Sequence, residues 1–412
     1  MLLKNGFAYD NGHFHLSDVL IENGCIKKIA MDIPVDPKDQ VIDDQVIDDQ
    51  VIDVKGKYII PGFVDMHVHF REPGFPNKET IRTGCMAAAK GGFTAVCTMP
   101  NLYPAPDSLK NLKAEQDIIN RDAIIKVYPY GCITKGRLGK VPVDMKKMSG
   151  HVIALSDDGN SIQDESVMEQ AMKQAKAAHM VIASHCEDAR YKDTPEAEYM
   201  QVRRDLELCS KTGCRLHVCH VSTKESVDLI RQAKRIGVRV TCETTPHYLI
   251  LCEDDVYDDG RFKVNPPIRK ASDRDALIFG LLDGTIDIIA TDHAPHTKDE
   301  KSKGFKGSVN GITGLDTAFA VLNTKLVLTK ILSSEKIISL MSLKPRELFG
   351  IEGGMKEGKI CDLAVIDKNA EYVIDPGSFA SMGKSTPFEG MHVHGRNTMT
   401  ICNGEIVWRY TD

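Results

Sequence analysis

Between Tyr58 and about Gly350 the chain repeats one pattern: a short apolar run rich in β-branched residues, then a longer amphipathic stretch. The runs are YIIPGFVDMHVHF (58–70), FTAVCTMP (93–100), IIKVYPYG (124–131), HVIALSDD (151–158), MVIASHCE (180–187), CRLHVCHV (214–221), GVRVTCETT (237–245) and IDIIATDH (286–293). Helix-like segments such as LKNLKAEQDIINR, ESVMEQAMKQAKAA and KESVDLIRQAKRIG separate them. Near-continuous apolar strands alternating with helices imply parallel strands buried on both faces. Eight such units predict an α/β fold, a (β/α)8 TIM-like barrel.

The two ends read differently. LLKNGFAY, HLSDVLIENG and CIKKIAM are short strands separated by Asn-Gly, a hairpin signal. Hairpin character returns in GKICDLAVIDKN and MTICNGEIVWRY. The simplest organisation is a small β-sandwich domain built from both termini, residues 1–54 plus 356–412, flanking a barrel at 55–355. A tandem repeat, VIDDQ at 41–45 and again at 46–50 followed by VID, is too short for a solenoid and reads as an acidic surface loop or hairpin.

Composition removes several function classes. The net charge is -6, with no basic stripe interleaved with aromatics, which argues against a nucleic-acid partner. No apolar run approaches membrane-spanning length, and MLLKNGFAYDNG does not read as a signal peptide. The 12 cysteines form no C-x-x-C pair and read as reduced thiols, several of them core hydrophobes such as Cys97, in a cytoplasmic protein.

In a barrel the active site lies at the C-terminal ends of the strands. The runs end in, or lead to, His67-Val68-His69, Asn101, Asp157-Asp158, His185, His220, His247 and Asp292-His293. Ligand-type side chains thus gather at one mouth. His-x-His by itself is weak, because the chain holds three such pairs: His13/His15, His67/His69 and His392/His394. Only His67/His69 ends a buried run at the barrel mouth, where residues two apart on a strand face the same way. Four histidines and two aspartates can build a two-metal centre. Two metals a few ångströms apart can share and acidify one water. Asp292, at the end of the last strand, suits proton transfer to a leaving nitrogen. His217, three before His220, should point away from the site as a core residue. His151 opens its strand at the wrong end, and His247 suits a supporting position.

The motifs PGFVDMHVHFREPG (61–74), MPN (99–101), SDDG (156–159), SHCED (184–188), CHVSTKES (219–226), TPHYL (245–249), NPPIR (265–269), TDHAPHT (291–297) and PFEG (387–390) resemble the amidohydrolase superfamily in its dihydroorotase form, nearest to the bacterial type I enzymes. The resemblance implies two zinc ions. His67, His69 and Asp292 would hold the first, His185 and His220 the second, with Asp158 bridging where many relatives use a carbamylated lysine. It implies that Arg71, Asn101 and Asn265 bind the substrate carboxylate and ring, that His296 assists them, and that the backbone around Asn310 and Gly311 contacts the ring amides. Arg71 lies two past His69 and should enter the site rather than pair with Glu72. The implied reaction is reversible hydrolysis of (S)-dihydroorotate to N-carbamoyl-L-aspartate, in pyrimidine synthesis. The resemblance is compatible with a homodimer and with association with aspartate transcarbamoylase.

Two departures stand out: Asn310-Gly311 replaces the family's usual Phe-Gly, and the stretch between His185 and His220 is shorter than in many bacterial relatives. The polar segment 297–309 reads as a lid or a plain surface loop. Competing readings are another cyclic-amide hydrolase, such as an allantoinase or dihydropyrimidinase, and a non-catalytic scaffold. The first generally needs a bridging lysine; Lys126, on the third run, is a poor candidate. The second should have lost metal ligands, and all are present here.

Overall fold

The computed structural model describes residues 1–34 and 51–411, so both copies of the VIDDQ repeat lie outside the described residues. The chain opens with β1 (Leu2–Asp10), β2 (His13–Glu22), β3 (Cys25–Ala30), β4 (Val51–Asp53) and β5 (Tyr58–Pro61). Asn11-Gly12 and Asn23-Gly24 turn the first two hairpins with both residues at positive φ, the conformation such two-residue turns require. The other early Asn-Gly makes no turn: the β1–β2 register shifts between Leu3 and Gly6, and Asn5 takes φ 61° inside a bulge.

Next come the barrel strands β6 (Phe63–Val68), β7 (Phe93–Thr98), β8 (Lys126–Pro129), β9 (Val181–Ser184), β10 (Arg215–Val218), β11 (Val240–Thr244) and β12 (Ile288–Ile289). They form two parallel groups, β6-β7-β8 and β9-β10-β11-β12. The fourth run joins these groups without being a regular strand. Leu155 bridges in parallel to Gly131 on one side and Ile182 on the other. The ring closes where Val68 bridges His293, and His69 N–H donates to the His293 carbonyl at 2.8 Å. The result is the expected (β/α)8 barrel.

Helices cover its outside, several of them starting at a capping side chain. Lys224–Arg235, for example, is capped by the Thr223 hydroxyl accepting from Ser226 N–H, and buries Val227, Ile230 and Ala233 at helical spacing. The interior is plugged by Val64, Met66, Ala95, Cys97, Tyr130, Ala154, Ala183, Cys219, Ile288 and Ala290.

The chain ends in β13 (Leu363–Val373), β14 (His392–Cys402) and β15 (Glu405–Arg409). Strands from both termini form one sheet in the order β15-β14-β13-β5-β1-β2-β3, with β4 alongside β1. The sheet curls over its own core of Leu3, Val19, Ile26, Ile59, Leu363, Val365 and Ile401 until Cys25 meets Ile360. The run 58–70 is therefore two strands. It divides at Gly62, where a Cβ would stand 2.3 Å from the Thr94 side chain, and Tyr58–Pro61 joins the terminal sheet.

Candidate metal centre

Side-chain direction at the barrel mouth follows from strand alternation. Ala154 faces inward on the fourth segment, so Ser156 and Asp158 share its phase. Asp157 turns out, and its carboxylate accepts from the backbone N–H groups of Ile133 and Thr134 and from the Thr134 hydroxyl. Val181, Ala183 and His185 share one phase, as do Ile288, Ala290 and Asp292.

The first strand needs a device. Val64 and Met66 face inward, so simple alternation would send His67 out. Between Asp65 and Val68, however, three steps of β6 oppose two steps of β7, a bulge that rephases the strand and turns His67 and His69 in. Asp65, fully buried behind them, holds this kink. It accepts from His67 N–H at 3.1 Å, Thr291 N–H at 3.0 Å and the Thr291 hydroxyl at 2.5 Å. Burial pushes its carboxyl up to about 6. His220 also enters by breaking the rule: β10 ends at Val218, and His220 takes φ 34°. Arg71 and Asp292 likewise have positive φ, 59° and 50°, strained values for non-glycine residues that gather at this mouth.

Four imidazoles and two carboxylates converge. Asp158 Oδ1 lies 3.4 Å from His67 Nε2, 3.5 Å from His185 Nδ1 and 3.6 Å from His220 Nε2, while its Oδ2 lies 3.6 Å from His69 Nε2. Asp292 Oδ1 is 3.0 Å from His69 Nε2 and 3.6 Å from His67 Nε2. Burial alone would raise the Asp158 carboxyl, but the imidazoles around it, His67 foremost, hold it well below the carboxylate range. Asp292 is lowered in the same way, against its burial, by His67 and His69.

The donor set fits metal ions. His67 Nε2 and Asp158 Oδ1, both facing the cluster, are buried with no hydrogen-bond partner, a costly state for polar atoms. Two triads that could hold an ion share Asp158: His67/His69/Asp158 and Asp158/His185/His220.

Behind the cluster stand residues the sequence reading missed. His67 Nδ1–H donates to Glu243 at 2.7 Å; Glu243 is held in turn by His217 at 3.2 Å, and His217 by Thr241 at 2.8 Å. His217 therefore does not turn away from the site; it faces the barrel interior, two hydrogen bonds behind the candidate ligand His67. The available signal was a lone glutamate within GVRVTCETT, two positions from Thr241 and so on its face. His185 Nε2–H donates to Glu187 at 3.1 Å, and His69 Nδ1–H to Asn101 Oδ1 at 2.9 Å. Such partners choose the tautomer and aim of an imidazole ligand. His247 is buried near Asp292 with Nε2 unpaired, and burial lowers it to about 4. His293 points away, towards Glu79 at 3.4 Å.

A cavity of about 250 Å³ opens over the cluster, lined by His69, Asp158, His185, His220 and Asp292 together with Arg71, Asn101, Asn265, His296, Asn310 and Gly311. Arg71 is buried and makes no pair with Glu72. Its Nε donates to the Pro295 carbonyl at 3.3 Å and its Nη2 to His296 Nε2 at 3.2 Å. Gly311 meets the cavity at φ 127°, where a Cβ would stand 2.6 Å from the Ala294 carbonyl oxygen. Its N–H is committed to the Lys263 carbonyl at 2.9 Å, so that N–H is not free for a ring amide.

The segment after His296 forms two single-turn helices, Lys298–Lys301 and Gly304–Gly307. Lys301 Nζ ties them down to the carbonyls of Lys263 and Val309. Lys126 lies at the far end of the barrel, 2.6 Å from Asp362. His13 and His15 sit exposed on β2, and His392 on β14, away from the mouth. All 12 cysteines are free.

A family model described as Dihydro-orotase-like matches residues 56–201. A protein named dihydroorotase from Bacillus cytotoxicus is 44% identical over 430 residues, covering 99% of this chain and 98% of that protein. Another of that name, from Fusobacterium nucleatum, is 42% identical over 428 residues with the same coverage. Among solved structures, the L-hydantoinase (dihydropyrimidinase) of Arthrobacter aurescens superposes with a TM-score of 0.89 at 26% identity, covering 100% of this chain and 96% of its own.

Proposed function

The chain belongs to the dihydroorotase family of cyclic amidohydrolases, and from that premise we propose that it interconverts (S)-dihydroorotate and N-carbamoyl-L-aspartate, the ring-closing reaction of pyrimidine synthesis. One observation carries the choice of substrate: the cavity over the imidazole–carboxylate cluster is also lined by Arg71, Asn101, Asn265 and His296. A small ring bearing a carboxylate and alternating N–H and C=O edges needs such a set.

We assign His67, His69 and Asp292 to one zinc ion and His185 and His220 to a second, with Asp158 reaching both. The two buried, unpaired atoms that face the cluster, His67 Nε2 and Asp158 Oδ1, support this assignment. When bound, the ions acidify a water and polarise the ring carbonyl. No lysine lines the cavity among the described residues, so a carboxylate stands where a lysine-bridged hydrolase would need an amine.

The chain's own groups do the rest. Asp292 meets the imidazoles through Oδ1, leaving Oδ2 to accept a proton and pass it to the ring nitrogen. Arg71, fixed by Pro295 and His296, presents a guanidinium to the substrate carboxylate. Burial lowers its pKa to about 10, so it stays charged at neutral pH. Asn101 spends its oxygen on His69 and offers its amide N–H groups to the substrate.

Purified protein should be assayed on dihydroorotate, allantoin, dihydrouracil and hydantoin. Turnover of dihydroorotate is expected. Turnover confined to any of the other three would replace this reading.

A further inference from the structure

Glu187 closes the MVIASHCE run two residues past His185. One of its oxygens, Oε2, lies 3.1 Å from His185 Nε2 and 3.0 Å from Asn265 Nδ2. A carboxylate can only accept, so both partners must donate to it. His185 thus carries its proton on Nε2, and its Nδ1, 2.9 Å from His220 Nε2 and 3.5 Å from Asp158 Oδ1, keeps a lone pair that an ion between the two imidazoles would take. Asn265 gives an N–H to Glu187, which orients its amide and leaves Oδ1 as the acceptor it can offer the cavity.

Asn101 is set the other way. If His69 Nε2 is to face an ion, Nδ1 must carry the proton, and Asn101 must turn its oxygen to it at 2.9 Å. Two chemically identical side chains lining one cavity therefore receive opposite polarity from their neighbours. Asn101 reads an acceptor on the ligand and Asn265 reads a donor, such as a ring N–H. Glu187 reaches this position from the edge of the site: it lines an adjoining groove of about 440 Å³, and a quarter of its side chain is exposed, at 25%.

We propose that Glu187 is a positioning residue that locks one ion-facing imidazole and one ring-reading amide through a single oxygen, coupling metal affinity to substrate recognition. The ring-reading half rests on the dihydroorotase reading above; the imidazole half does not.

The test compares Glu187→Leu, which removes the acceptor, with Glu187→Gln, whose amide oxygen can accept from both partners. Zinc affinity is measured without substrate, by competition with a chromophoric chelator. Glu187→Leu is expected to weaken the less tightly held zinc equivalent by about 10–100-fold, and Glu187→Gln to restore most of that loss. At saturating zinc, Glu187→Leu should raise KM for dihydroorotate more than it lowers kcat. Asn265→Ala should raise KM in the parent chain but add less than about threefold in the Glu187→Leu background, because the two act as one unit. Unchanged zinc affinity, an equal Asn265→Ala effect in both backgrounds, or a glutamine variant as impaired as the leucine one would each overturn the proposal. A parent protein inert on dihydroorotate would instead sink the substrate assignment, and the zinc arm would still decide the role of Glu187.

Discussion

Glu115, on the helix Leu109–Asp122, should make the protein less stable as pH rises, and Glu115→Gln should abolish the effect. The side chain is 1% exposed beneath β7. One oxygen accepts from the Thr98 hydroxyl at 2.6 Å; the other has no partner. Burial pushes the carboxyl from 4.5 up to about 8, the Thr98 bond only partly opposing it. At neutral pH the folded chain therefore keeps this proton while the unfolded chain releases it. The sign follows: the native state binds more protons, so its advantage is whole below pH 4.5 and declines until about pH 8. At about 1.4 kcal/mol per pH unit the full loss is on the order of 5 kcal/mol, of which roughly 3 falls between pH 5 and pH 7. For 412 residues the unfolding entropy is about 0.9 kcal/mol per degree, so this interval corresponds to about 3 °C in melting temperature. Glutamine keeps an oxygen for Thr98 and cannot ionise. Melting both proteins across pH 5–8 should show the advantage of the variant growing by about 3 °C between pH 5 and pH 7. A constant offset between the two curves would refute the reasoning.

Other substitutions probe the site and its frame. Asp292→Ala should keep the fold by circular dichroism yet lose at least about 100-fold in turnover, the usual size of a positioned acid–base group; retained activity would remove Asp292 from the chemistry. Arg71→Met should cost about 10–150-fold in kcat/KM for dihydroorotate, the equivalent of about 1.5–3 kcal/mol for a charged hydrogen bond, read from steady-state kinetics. Lys126→Met leaves Asp362 buried and short of its nearest cation, a loss of about 3–5 kcal/mol or roughly 3–6 °C in melting temperature. Lys126 lies at the closed end of the barrel, so turnover per folded molecule should not change.

Much of the mouth was legible because strand periodicity is local. The run ends put His185 and Asp292 at the mouth, whereas the choice of Asp158 over Asp157 came from the motif resemblance and is accounted for by the inward face of Ala154. The hairpin turns at Asn11-Gly12, Asn23-Gly24 and Asn403-Gly404 were equally local, since their positive φ values suit those residue types. The failures share a cause. The division of the first run at Gly62, the shrinking of the fourth run to a bridge at Leu155, and the inward turn of His217 all depend on what lies across a strand boundary. Glu243 and Glu187 escaped notice for a related reason: each matters through a partner far off in the chain, His67 at 176 residues from Glu243 and Asn265 at 78 residues from Glu187.

By itself the sequence determined the barrel, its polar mouth and the identity of the side chains gathered there, because hydrophobic periodicity and strand-end chemistry are written residue by residue. Tertiary structure decided which way His67, His69 and His220 point. The bulge at 65–68 exists only in register with β7 and with Asp65 bonded to Thr291 on the last strand, and His220 turns inward only where β10 has ended. Register between distant strands is a property of their pairing, so the direction of the two histidines that first suggest a metal is settled only when the barrel closes.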